Sequence, residues 1–135
     1  MGERVLFQVV KNDQFSPVVY CHWSGDEARD ICERLMIRMG CRSSDLQYTA
    51  ARLVQECINN DKGNLSFGIW NADRVLTEED AHGDGGVILI DVSDGLMEFK
   101  CMGGYWRDGD SLPERMTYEQ LNEKYFYESL NKASA

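Results

Sequence analysis

The stretch Pro17-Val18-Val19-Tyr20-Cys21-His22-Trp23-Ser24-Gly25, with residues 26–39 behind it, decides how this chain is organised. Val18, Val19, Tyr20 and Trp23 are β-branched or aromatic, and residues 17–23 read as a strand. Ser24-Gly25 breaks that strand, and a helix is expected to begin near Asp26. Ser24 and Glu27 have capping-box spacing, with the hydroxyl serving the N3 amide and the carboxylate reaching back to the cap amide. Asp26 and Glu27 also suit the positive end of the helix dipole. Ala28, Ile31, Cys32, Leu35, Met36 and Met39 then recur at helical spacing, opposite Arg29, Asp30, Glu33, Arg34 and Arg38. Gly40 fits the C′ position. Tyr20, His22 and Trp23 therefore gather where a strand ends and a helix starts.

Outward from this junction, residues 5–10 (Val-Leu-Phe-Gln-Val-Val) read as a strand, 11–14 as a turn, and the second strand follows at hairpin distance. Pro17 places an edge or a strand start there. Alternation puts Val19, Cys21 and Trp23 on one face and Val18, Tyr20 and His22 on the other. A short link, 41–43, leads to a second helix from about Asp45, with Ser44 and Gln47 as a capping box. Leu46, Ala50, Leu53, Val54, Cys57 and Ile58 form its apolar stripe, and residues 59–63 end it. So short a link makes the two helices antiparallel neighbours.

Residues 64–70 alternate, Leu65, Phe67 and Ile69 against Ser66, Gly68 and Trp70. A long acidic loop over 71–86 precedes an apolar strand at 87–92. Ser93-Asp94-Gly95 is a hairpin turn signal, and 96–102 returns as a strand. Residues 103–110 are irregular, Thr117 with Gln120 caps a last helix over 118–130, and 131–135 fray. The expectation is one α+β domain over 1–135, ordered ββααβββα. Its five-stranded, mainly antiparallel sheet carries a helix pair on one face, with a C-terminal helix. The other face, holding Trp70 and the Tyr20/His22 row, is expected to stay open as a binding surface or a homodimer interface.

Composition narrows the classes. A chain of 135 residues with 43% hydrophobic content can bury one core. No apolar run reaches the roughly 18 residues a membrane span needs, and no signal-peptide pattern opens the chain. Leu6 stands where a myristoylation motif needs Ser or Thr. Five cysteines, without a C-x-x-C pair, point to a reducing cytoplasm rather than to disulfides or zinc. The net charge of −9 is concentrated in residues 61–135, which hold −8 of it. Such acidity repels phosphate backbones, so direct nucleic-acid binding is not expected.

Three places carry candidate chemistry. His22 next to Cys21 suggests a Cys/His pair, but neighbouring strand side chains point to opposite faces, so a structural His22 is the competing reading. Asp80-Ala81-His82-Gly83-Asp84-Gly85 resembles the start of a calcium loop, with Asp91 at its twelfth position. His82 replaces an oxygen ligand there and a strand follows. Asp80, His82 and Asp84, with Glu78 or Glu79, are metal candidates against the alternative of a solvated acidic loop. Gly103-Gly104-Tyr105-Trp106-Arg107 offers amides, two rings and a guanidinium that could stack and clamp a ligand, or pack under the last helix. No phosphate-binding glycine motif is present and no cofactor is expected. The helix-surface arginines, including Arg42 and Arg52, are read as pairing with local acids.

The strand-to-helix motif Tyr20-x-His22-Trp23-x-Gly25 resembles small uncharacterised proteins of bacteriophages and prophages, over about the first forty residues. Ser24 stands where many of them carry Asp or Gly. The resemblance implies a mobile-element origin and action in the cytoplasm of a bacterial host, and it carries over no catalytic residue. The expected function is a non-enzymatic accessory protein that binds a host protein or small ligand. Its contact surface is Tyr20, His22, Trp23 and Trp70, with Tyr105, Trp106 and Arg107, or the acidic C-terminal half. The alternative is a small metal-dependent or Cys/His hydrolase using His22 or the Asp80-His82-Asp84 loop.

Overall fold

Residues 5–10 are buried without interruption, on both faces of the strand they form. That is the signature of a central strand covered from two sides, and the computed structural model has it so. Residues 4–24, 27–39, 44–60, 63, 66–81, 85–93 and 97–103 are described. They form β1 (Val5–Lys11), β2 (Gln14–Phe15), β3 (Val18–Cys21), α1 (Ala28–Met39), α2 (Leu46–Asn60), β4 (Phe67–Trp70), a 3-10 turn (Glu78–Asp80), β5 (Gly86–Asp91) and β6 (Glu98–Met102). The protein is a mixed α+β structure. Its sheet has six strands rather than the expected five, in the order β4-β3-β1-β5-β6 with β2 also on β1. Four pairings are antiparallel, but β1 and β5 run parallel. The expected last helix lies outside the described residues. Among those described, no helix is long and apolar enough to cross a membrane.

The extra strand comes from a bulge. The register sets Val10 opposite Phe15 but Phe7 opposite Val19, so one additional residue lies between β2 and β3. Ser16 holds it: its amide donates to Val9 O (2.8 Å) and its hydroxyl accepts from Val9 N (2.9 Å). Pro17, which lacks a donor, is exposed there at no cost to the ladder. The β1–β2 turn uses Asn12 at φ 53°, a conformation Asn tolerates. Asn12 N donates to Ser93 Oγ (2.8 Å), tying this turn to the end of β5.

The helix pair covers the Val5, Phe7, Val9 face. Ala28, Ile31, Cys32, Leu35, Met36 and Met39 are all buried against Val19, Cys21, Ile88 and Ile90, as the helical spacing required. The capping of α2 differs from expectation. Asp45, not Ser44, caps α2: Tyr48 N donates to its Oδ1 (3.0 Å). Ser24 and Glu27 are both reached by the Asn60 side-chain amide, which donates to Ser24 Oγ (3.0 Å) and Glu27 Oε2 (2.5 Å). Inside the α1–α2 seam Glu56 is 1% exposed and takes Arg34 (3.0 Å) and Arg38, while Arg34 also donates to Asn60 Oδ1 (3.0 Å). These pairs run in opposite directions along the two helices, which are antiparallel as the short link demanded.

The far face corrects the expectation of an open surface. A chain leaving β4 at one side of the sheet must cross to reach β5 in parallel with β1, and residues 71–81 run over the face away from the helices. Leu76 packs with Leu6, Val10, Val18, Val87 and Leu89, with Ala72, Val75 and Ala81 beside it. Gln8, fully buried in mid-strand, fastens this crossover. Its Nε2 donates to Ser16 O and Arg74 O (3.1 Å each), and Leu76 N donates to its Oε1 (2.8 Å). All three of these polar contacts replace water in a sealed layer, where an unmet partner costs about 1–3 kcal/mol. Replacing Gln8 by Ala should therefore destabilise by about 2–4 kcal/mol. Glu56→Ala should cost less, about 2 kcal/mol, because Arg34 and Arg38 are each about a third exposed and can rehydrate. Urea unfolding of the two variants measures both values, and a Gln8→Ala loss below 1 kcal/mol would contradict the fastening role.

Candidate functional site

Among the described residues the crossover leaves Trp70 on β4 half exposed, while Val18 and part of Tyr20 join the cluster around Leu76. In the β3–β4 ladder Val18 faces Trp70 and Tyr20 faces Gly68. Strand parity then sends Tyr20, Gly68 and Trp70 to the far face, while Phe67 and Ile69 point to the helix side. The Tyr20 and Trp70 rings lie 5.9 Å apart and tilted by 34°. Beyond the end of β3, His22 N donates to Ser66 O (2.7 Å), holding the backbone in line. The Tyr20 hydroxyl and His22 Nδ1 share a hydrogen bond of 2.5 Å, and the Trp23 ring meets the imidazole edge-on at 4.4 Å. Trp23 and Trp70 remain 50% and 48% exposed. Tyr20, His22, Trp23 and Trp70, read from the sequence as a binding set, are thus one contiguous surface. Tyr105, Trp106 and Arg107 lie outside the described residues.

Gly68 gives this surface its shape. A Cβ there would meet nothing within 4 Å, so an open notch lies directly across from Tyr20 and two residues along the strand from Trp70. The sequence pattern marked Gly68 only as one member of an alternation. A Gly placed opposite a Tyr in an edge strand was the signal for a notch.

The hydrolase candidates fare differently. Cys21 is 1% exposed and faces the helices, away from His22, whose partner is the Tyr20 hydroxyl. A hydrogen bond with Cys21, together with burial, pushes the Cys57 thiol up, and burial does the same for Cys32. Thiols held neutral in this way are poor nucleophiles. Cys21, Cys32 and Cys57 are free thiols.

Asp80 is occupied structurally. Arg74 donates to both its oxygens (2.8 and 2.7 Å), and Thr77 N donates to Oδ2 (2.7 Å). Thr77-x-x-Asp80 is a cap at the start of the 3-10 turn, a signal present in the sequence but overlooked beside the calcium-loop spacing. His82 and Asp84 lie outside the described residues, and no metal cluster forms among those described. Gly103, at φ +65°, brings the end of β6 against Ala81. An open recess of about 260 Å³ between Lys11, Gln14 and residues 44–47 lies at the far end of β1 from Leu6, the residue paired with Tyr20. The chain matches no protein-family model, no curated protein and no solved structure.

The Arg74 guanidinium and the Thr77 amide hold the Asp80 carboxyl well below the usual carboxylate range. Its ionised form is therefore favoured by the fold. That contribution is complete at neutral pH, declines as pH falls below the ordinary value near 4, and is gone once the folded protein is protonated too. Asp80→Asn should lower thermal stability at pH 7, and the gap from wild type should narrow steadily below about pH 4. A gap independent of pH would mean that the charge of Asp80 plays no part.

Proposed function

We propose that this protein is a non-enzymatic binding module whose contact surface is the β3–β4 end of the sheet, centred on Tyr20, His22, Trp23 and Trp70. The observation that carries the reading is the exposure of two tryptophans, each about half open, beside a notch and next to an ordered Tyr–His pair. Among the described residues both faces of the central strand are sealed without the exposed halves of these rings. Tryptophan and tyrosine supply large contact area at small entropic cost, and they dominate the energy of protein interfaces. Burying the remaining half of one tryptophan, on the order of 100 Å², is worth about 2–3 kcal/mol before the cost of association.

The partner is a protein of a bacterial host, met in the cytoplasm, if the phage-like motif at Tyr20–Gly25 reflects the origin of the chain. A homodimer would use the same surface, but two copies each carrying −9 repel one another. A hydrolase has less support, because Cys21 and Asp80 are engaged inside the fold.

The test is capture of partners from a host extract on the immobilised chain. Purification of the recovered protein and calorimetric titration against wild type, Trp23→Ala and Trp70→Ala then follow. Trp70→Ala should weaken binding at least about tenfold while thermal stability is nearly unchanged, since the ring is half exposed. Wild-type affinity in both tryptophan variants would remove the aromatic surface from the interaction.

A further inference from the structure

We infer that the outer edge of β4 takes up an extended, basic peptide segment of a partner protein as a further strand. A lysine or arginine of that segment lies over Gly68 between Tyr20 and Trp70. The inference rests on the binding reading above and names the chemistry of what is bound.

Three observations converge on it. The first is the hydrogen-bonding phase of β4. His22 N donates to Ser66 O, so Gly68 and Trp70 are the next positions bonded toward β3. The N–H and C=O of Phe67 and Ile69 consequently point away from the sheet. Among the described residues no strand pairs with that side, because β4 ends the strand order. Ile69, 59% exposed, stands beside it. An edge of this kind is a template for strand addition.

The second observation is the notch. In an antiparallel addition bonded at Phe67 and Ile69, the incoming residue opposite Gly68 occupies a non-hydrogen-bonded pair, where side chains approach most closely. Its side chain runs over the missing Cβ of Gly68 toward the Tyr20 and Trp70 rings, which can hold a cation against their faces.

The third is charge. The chain leaves Trp70 directly into the crossover, which exposes Asp73 three residues on and whose lone arginine, Arg74, is committed to Asp80. The whole chain carries −9. An acidic strand or a second copy of this chain would be repelled, whereas a lysine- or arginine-bearing strand is attracted.

The experiment uses the full chain and a synthetic ten-residue peptide of alternating lysine and valine. Two control peptides accompany it, one with glutamate for lysine and one N-methylated on alternate residues. Binding is read by calorimetry, and hydrogen exchange of the Ile69 amide is followed by NMR. The lysine peptide should bind, slow exchange at Ile69, and weaken as salt rises. N-methylation should weaken binding by about tenfold or more, and the glutamate peptide should not bind.

Two variants separate the edge from the notch. Ile69→Pro removes an outward N–H that the fold does not use, and Gly68→Val fills the notch in a backbone conformation open to any residue. Both should keep their thermal stability close to that of wild type and lose at least about tenfold in affinity for the lysine peptide. Unchanged binding by folded Ile69→Pro or Gly68→Val overturns the inference. So does equal binding of the N-methylated peptide, absence of binding by wild type, or a concentration-dependent dimer whose formation protects Ile69. Loss of captured-partner binding in Trp70→Ala with full retention in Ile69→Pro would leave the aromatic surface standing and remove strand addition alone.

Discussion

The structure depends on a strand that must be covered twice. β1 is hydrogen-bonded to β3 on one side and β5 on the other, and residues 5–10 alternate apolar side chains to both faces. Neither face tolerates water, so the chain must supply two layers. One is the helix pair, placed between β3 and β4. The other is the crossover, and the parallel β1–β5 pairing makes it obligatory, since no short turn can join strands that run the same way. The length of the acidic 71–86 region therefore has a structural cause.

Gln8 is where these demands meet. A polar side chain in the middle of a doubly buried strand is a liability unless every donor and acceptor is met. Here the amide serves as a piece of backbone, meeting the carbonyls of Ser16 and Arg74 and the amide of Leu76. It thereby links the bulge between β2 and β3 to the crossover, two irregular segments that cannot use the sheet ladder. The Glu56 network does the same for the helices, in a seam whose edges remain wet enough for Arg34 and Arg38.

What the sequence disclosed follows the range of its signals. The buried face of α1 was legible residue by residue, because a 3.6-residue period is local and unambiguous. The shared face of Tyr20 and Trp70 was legible from strand parity alone. Glu56 was hidden because its charge argued for solvent, although its position between Leu53 and Asn60 placed it on the seam. The parallel pairing of β5 was not legible in 87–92 itself. The hint lay in β1, whose near-continuous apolar run fits a strand covered on both faces better than one with a wet side. The crossover has neither period, so it read as a loop, and its cap at Thr77 and Asp80 was obscured by a metal-like spacing of the same carboxylates. The exposed far face was expected too broadly for this reason: among the described residues its centre is covered, and Trp70 at the β4 end stays half exposed.

That end is half covered by geometry rather than by accident of composition. The crossover leaves the sheet at residue 71 and heads toward β5, so Val18 and part of Tyr20 join the cluster around its Leu76 while Trp70 stays half exposed. Sheet proteins protect such edges with charge, proline or bulges. This one places its proline and its bulge further along, between β2 and β3, and leaves Ile69 and Trp70 on the open strand. Among the described residues the crossover sets one exposed acid, Asp73, three positions past Trp70, while Glu78 lies beside Gly103 at the β6 end. A charge at Asp73 would favour a basic segment over an acidic one in the strand addition inferred above.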